Sequence, residues 1–440
     1  MKTIGIFLSL LLALTMLQGC GKSGSSSSSG PGTNQVRLVN ATTAYASLDM
    51  TSSGARLASA VATGSASSYA AVSSGISTFT LGLSGSGTPL AQTNLSLSSV
   101  GVPYTLVAHT GGQQLQVTAL TDNEAAPASG DGKIRVSNLA LLDTGNVDVY
   151  MAGGGGNLSD ASALATNLPG TTGYFEITAG TYHIWVTGVG NKTDLRLEIP
   201  SVVISDQQVL TLILTSAISG TAGGVLVDGW LVTQQGAVSA QKNVSARVRI
   251  AANIAAHGTI VATANGVSLT SSTLISPVVG SYALVPAGPL TIVVNGNSVN
   301  VVGNSNAAAA AGADLTLLAV SDGISPPQFF LLPDDNRLPL NGMAKLRLVN
   351  GVNGANGLAG NISLTADFNP VAQDVAPGTV STAASIKSGT ISQLEVNSSQ
   401  ANTLLYSAMN VTLQSQGVYS VFMLGNNATG LGVGIVRGDR

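Results

Sequence analysis

The sequence predicts an all-β chain of four tandem immunoglobulin-like antiparallel β-sandwich domains, and three observations carry that reading. Short β-branched and aromatic runs alternate with Gly, Asn, Ser and Pro turns. No amphipathic helix separates them, which argues for strands joined by turns. Two landmarks recur about every 100 residues, the size of one immunoglobulin-like sandwich rather than of a solenoid turn.

The first landmark opens each repeat: "VRLVNA" at Val36, "IRVSNL" at Ile134, "VRIAAN" at Val248 and "LRLVNG" at Leu346. Alternation puts the apolar residues on one strand face and Arg37, Arg135, Arg249 or Arg347 on the other. The second landmark is Tyr-x-x-Val-x-x-Gly, at Tyr69, Tyr174 (with Ile177 for valine) and Tyr282. A degenerate fourth copy is read at Gln393, "QLEVNSS", giving spacings of 105, 108 and 111 residues. The three tyrosines are expected in equivalent, largely buried positions beside the turn, since a phenol ring buries well and its hydroxyl needs a partner. The repeats are bounded at 35–124, 131–232, 244–334 and 343–440, the last being the divergent one.

Strands are read at Tyr104–His109, Asn146–Met151, Thr181–Val186, Leu210–Leu214, Leu290–Val294 and Tyr419–Leu424. The run Ala307–Ala311 reads as a helical turn too short to stand alone.

Ahead of the repeats, Lys2 and the apolar run Ile4–Leu17 have the form of a secretory signal, shorter than the roughly 20 residues a membrane span needs. The sequence Leu17-Gln18-Gly19-Cys20 resembles the lipobox of bacterial lipoproteins. The resemblance implies a signal peptide at 1–19, cleavage before Cys20 and acylation of this single cysteine, a palmitate-like chain among its lipids. Each buried CH₂ contributes roughly 0.8 kcal/mol, so two chains or more hold firmly where one does not. Residues 20–34 then form a Gly/Ser tether too poor in apolar groups to offset its ordering entropy. Gly21 after the cysteine implies, again by resemblance, the outer membrane or cell surface.

The repeat landmarks resemble the bacterial family catalogued as domain of unknown function 4397, whose members open with an apolar-Arg-apolar strand, carry a Val-Asp-Val-Tyr strand and continue to a Tyr-x-x-Val-Pro-Ala-Gly turn. Repeat 2 matches best, with Ile134-Arg135-Val136, Val147-Asp148-Val149-Tyr150 and Tyr174–Gly180. Repeat 1 has Leu48-Asp49-Met50 at the acid strand, while Ile260–Thr263 and Ile362–Thr365 carry no acid there. These are strand and turn patterns, and the resemblance implies no activity.

Composition narrows the function classes. Only 8% of residues are charged, the formal net charge is −3, and 17 Lys plus Arg lie scattered, so the basic stripe of a nucleic-acid binder is missing. Gly-x-Ser-x-Gly is absent, the nearest approach being Gly82–Ser86. His109, His183 and His257 have no Cys or second His at metal-ligand spacing, so no metal or cofactor site is expected. The acidic groups Asp122-Asn123-Glu124 and Asp334-Asp335-Asn336 end repeats and read as turns and linkers, with an interdomain calcium site as the alternative reading. Trp185 and Trp230, the two tryptophans, are the candidate binding residues, beside the loop Gly153–Gly156. Trp185 is exposed if its strand buries the Ile184 face, and otherwise a core residue. The expectation is a lipid-anchored, non-enzymatic envelope protein that binds a glycan or protein ligand. A structural spacer of the envelope is the alternative, and a carbohydrate-processing enzyme the third class.

Overall fold

The computed structural model describes residues 32–217, 222–254, 259–270, 274–296, 299–303, 307–321, 328–352, 360–398, 404–426 and 431–440. The signal segment, Cys20, nearly all of the tether and His257 lie outside them.

Each repeat is two stacked sheets. In the first, a front sheet orders its strands Ala70–Ser73, Thr33–Asn40, Pro103–Gly111 and Gln114–Thr121, and a back sheet orders Ala55–Ala62, Ser47–Ser52, Gly75–Leu83 and Pro89–Leu97. The same plan recurs three times, each front sheet holding one parallel contact between the arginine strand and a later strand while its other pairings run antiparallel. All six strands read from the sequence are present, one or two residues longer or shorter at their ends. Repeat 2 adds one short helix, Leu141–Thr144. The alanine run holds no helical turn: Ala308–Ala309 pairs with Gly288–Pro289 as a two-residue ribbon.

Four separate apolar clusters fill the four sandwiches, centred on Leu38 and Phe79, Val136 and Ile184, Ile250 and Ile292, and Leu348 and Leu394. Alternation explains them, because Val36 and Leu38 point inward from their strand with no exposure at all. Yet Val39 on the opposite face is equally buried. The outer face of each front sheet is therefore covered too, and two further apolar clusters show by what. Val39, Ala41, Val107 and Leu120 of repeat 1 pack on Ile213, Trp230 and Val232 of repeat 2. Ala251, Leu318, Val320 and Leu332 of repeat 3 pack on Val349, Phe422 and Leu424 of repeat 4. The chain is two pairs of sandwiches, each pair joined front sheet to front sheet along a buried seam.

The acid of the Val-Asp-Val-Tyr strand has a local structural task. Asp148 accepts from the backbone N–H of Asn167 at 2.7 Å, and Asp49 from that of Ala60 at 2.7 Å. Both donors hold a left-handed backbone, at φ 48° and 50°, where the ladder register shifts. In repeat 4 the Ser363 hydroxyl takes the same place, accepting from Asp374 at 3.1 Å, with φ 52°. A bulge leaves one amide outside the ladder, and these side chains satisfy it.

Candidate functional site

The four arginines build the seams. Register sets Arg37 opposite Thr105, Arg135 opposite Thr211, Arg249 opposite Thr316 and Arg347 opposite Ser420. Each guanidinium Nε donates to that hydroxyl, at 2.7, 2.9, 2.9 and 2.6 Å. All four side chains are at least nine-tenths buried, a state an arginine tolerates only when its N–H groups find hydrogen-bond or charge partners.

A carboxylate completes the arrangement in three repeats. Asp122, Asp334 and Asp439 each stand two residues beyond the partner of the Thr or Ser hydroxyl strand position, and repeat 2 has Gln234 there. In the second seam the pairing is reciprocal: Arg249 donates across to Asp439, and Arg347 meets Asp334 across the seam at 2.9 Å. In the first seam Arg37 reaches Asp122 of its own repeat at 3.5 Å and donates across to the carbonyls of Gly236 at 2.6 Å and Thr233 at 3.1 Å. Arg135 donates across to the Thr121 carbonyl at 3.0 Å. The acidic groups at the repeat ends are thus more than turns and linkers. Asp122 and Asp334 are buried counter-ions, and Asp335 joins Arg337 at 2.7 Å and Lys345 at 2.9 Å. Burial raises the Asp335 pKa, but the hydrogen bond from Arg337 and the nearby Lys345 charge outweigh it, and the net shift is downward.

The landmark tyrosines do occupy equivalent positions, but outside the sandwich cores and half-buried under the arginines. Arg37 lies over Tyr69 at 5.1 Å, Arg135 over Tyr174 at 4.7 Å and Arg249 over Tyr282 at 4.5 Å, contacts of about 0.5 to 2 kcal/mol. Tyr69 donates to Asp122, and Tyr282 to Asp334 at 2.5 Å. Burial, then the adjacent carboxylate, raises both phenol pKa values.

The fourth copy is corrected. Gln393 lies inside the back-sheet strand Gly389–Ser398, while the strand that pairs with the arginine strand is Ala384–Lys387. Ala383, Ile386 and Gly389 therefore stand where the other repeats have Tyr, Val and Gly. Losing the ring removed the landmark, and ordinary strand alternation at Gln393 imitated it.

Neither tryptophan offers a binding face. Trp230 is fully buried in the first seam, its Nε1 donating to Thr215 at 2.8 Å. Trp185 breaks the expected choice between exposed and core: Ile184 faces the core, and Trp185 on the outer face is still only 3% exposed. It stacks on His183 at 3.7 Å, with Tyr150 and Glu198 as cross-strand neighbours. His183 in turn meets Glu198 at 2.9 Å. His109 is buried with Nε2 on Thr118 at 3.0 Å, and burial pushes its pKa down to about 4. Gly153–Gly156 closes a hairpin, with the Gly156 amide donating to the Gly153 carbonyl at 3.0 Å. No group of three or more His, Cys, Asp or Glu at metal-binding distance occurs among the described residues.

The open site lies where the second repeat meets the second pair, and of its lining residues the sequence singled out only the landmarks Arg249 and Tyr282. A cleft of about 280 Å³ is lined by Asn191, Thr193, Arg247, Ser281, Tyr282 and Arg437, with Asp194, Arg249 and Asp439 at its sides. Arg247 is held by Asp314 and Arg249 by Asp439. Asp194 is taken by Arg196 at 2.9 Å. Arg437 donates to Ser281 at 3.2 Å and has no carboxylate partner among the described residues. The doubled arginine of "RVRI" was the available sequence signal. A second cleft of about 340 Å³ adjoins the first through the shared residues Leu195 and Leu284.

Fold and seams define a class of protein: immunoglobulin-like sandwiches joined in arginine-sealed pairs. Residues 34–150, the first sandwich and the opening of the second, match the family described as Domain of unknown function (DUF4397). None of the curated proteins matches the chain. Similar solved structures include the Bacillus anthracis TIE protein, 10% identical over 90% of this chain and 68% of that one, with a TM-score of 0.15. Another is CBMbc, a family CBM26 module of Eubacterium rectale Amy13K in complex with maltoheptaose, 13% identical over 42% of this chain and 92% of that one, also at a TM-score of 0.15. Likenesses this shallow assign no function.

Proposed function

We propose that the chain is a lipid-anchored, non-enzymatic interaction module of the bacterial envelope, held at the outer membrane or cell surface through Cys20 and binding a glycan or protein ligand. The observation that supports it best is how the charged groups are distributed. Arg249, Arg347, Asp334 and Asp439 are spent on each other in the second seam and Arg37 meets Asp122 in the first, which fixes the sandwiches against one another, while the junction cleft keeps accessible hydroxyl, amide and guanidinium groups on that scaffold. The lipobox-like Leu17–Cys20 supports the anchor. The seams also favour a second reading, the structural spacer, because paired sandwiches resist bending.

Fractionation of cells fed a labelled fatty acid tests the anchor. The expected result is label and membrane residence for the wild type and neither for Cys20→Ser; equal labelling of both removes the anchor from the account. An array of envelope glycans and matrix proteins tests binding, and a chain that retains nothing from it supports the spacer.

A further inference from the structure

The junction of repeats 2, 3 and 4 carries more guanidinium than carboxylate. Arg196, Arg247, Arg249, Arg437 and Arg440 converge there, and the carboxylates that meet them are Asp194, Asp314, Asp334 and Asp439. Each of those acids already holds an arginine, and Asp334 and Asp439 also serve Arg347. Burial, then the neighbouring Arg196 and Arg247 charges, holds the Arg440 pKa below its ordinary range. Arg249 is 1% exposed and its Nη2 finds no hydrogen-bond acceptor. Arg437 is the member of this group that lines the cleft and is tied only to the Ser281 hydroxyl among the described residues.

A site with surplus guanidinium and little apolar lining suits a small anion that also carries hydroxyls. A planar carboxylate matches the two-pronged fork of a guanidinium. Asn191 and Thr193 lie exposed in the lining, and Ser281 adds a hydroxyl beside Arg437, whereas the Tyr282 hydroxyl is held by Asp334 and Asn336. The volume of about 280 Å³ is near the lower end of small-molecule pockets, roughly 300 Å³, which suits one sugar ring. Asp194 and Asp439 line the cleft as well, and their arginine partners keep them from repelling an anion.

We propose that this cleft binds a carboxylate-bearing sugar, a hexuronic acid unit, with Arg437 clamping the carboxylate and Asn191, Thr193 and Ser281 receiving the hydroxyls. This deepens the interaction-module reading and rests on it. The site is composite: Asn191 and Thr193 come from repeat 2, Ser281 from repeat 3 and Arg437 from repeat 4.

Calorimetric titration of the full chain in detergent with glucuronate and oligogalacturonate, against neutral maltotriose and acetate, provides the test. The expected result is saturable uronate binding that weakens with added salt, falls at least tenfold in Arg437→Gln and is unchanged in Arg56→Gln, whose exposed guanidinium pairs with Asp49 in repeat 1. Unchanged melting temperatures would confirm that the variants fold, and Asn191→Ala should weaken uronate but leave acetate unaffected. Four results overturn the proposal: no uronate binding at millimolar concentration, equal binding of maltotriose, acetate binding as tightly as uronate, or indifference to Arg437→Gln. If instead an array ligand binds with an affinity that Arg437→Gln leaves intact, the interaction-module reading stands and this site falls.

Discussion

The two seams solve one problem with different chemistry. Both bury a pair of arginines between front sheets, but the second supplies two aspartates, each shared across the interface, whereas the first supplies Asp122 and leaves Gln234 in the fourth place. Gln234 instead exchanges neutral hydrogen bonds with the Glu124 backbone, at 2.9 and 2.8 Å, and the arginines reach for carbonyls. Its missing charge pair is accompanied by a large apolar wedge, Trp230 opposite Ile213, where the second seam has Ile435 opposite Phe422. The arginine is the fixed part of this interface and its counter-ion the variable one. An arginine opposite a hydroxyl can be satisfied by carboxylates or by turn carbonyls, provided the seam excludes water.

Removing one charge should separate the seams most. Asp334→Ala leaves Arg249 and Arg347 buried with half their carboxylate and is expected to cost about 3 to 5 kcal/mol in the unfolding of the second pair. Asp122→Ala should cost less, because Arg37 keeps its carbonyl partners. Chemical denaturation followed by two probes reads both, and equal losses would erase the distinction. Trp230→Ala should cost about 3 to 5 kcal/mol in the first pair alone, and an effect on both pairs would contradict separate seams.

Acid should act on the first seam through His109. Burial holds its folded pKa at about 4 against 6.5 in a free chain, so the unfolded state takes up the proton first. Its contribution to stability is complete above about pH 6.5 and is lost as the pH falls toward about 4, roughly 3 kcal/mol in all. A denaturation series across that window should steepen for the wild type and flatten for His109→Gln; identical slopes would place the acid sensitivity elsewhere. The smallest effect is expected of Gln234→Asp, which gives Arg135 the carboxylate it lacks and should add about 1 kcal/mol at neutral pH that disappears below pH 4.

Strand positions and arginine faces were legible because period-two alternation is a local property, readable wherever "VRLVN" or its kin occurs. What the arginines faced was not. Val39, Ile213 and Trp230 have the composition of core residues, and nothing in a sequence separates a sandwich interior from a seam between sandwiches. Asp439 and Arg437 belong to distant partners, 190 and 156 residues away, and carry no local signature. One shift of a single residue shows how fine the coding is. Asn40, Asn138 and Asn350 stand three residues after their arginines and bond carbonyls within their own repeat, Asn40 at 3.1 Å to Val61. Asn253 stands four after Arg249, emerges on the other face and bonds Gly351 of repeat 4 at 2.8 Å.

A double-mutant cycle on Arg249 and Asp439 tests the paired-seam account most directly, because the two residues lie in different repeats and meet only if those repeats join front sheet to front sheet. Arg249→Gln, Asp439→Asn and the combination would be compared by denaturation of the full chain. The expected coupling energy is above about 1 kcal/mol, with the double variant losing less stability than the two single losses sum to. Strict additivity, within about 0.3 kcal/mol, would mean that the two side chains do not meet, and would contradict the seam.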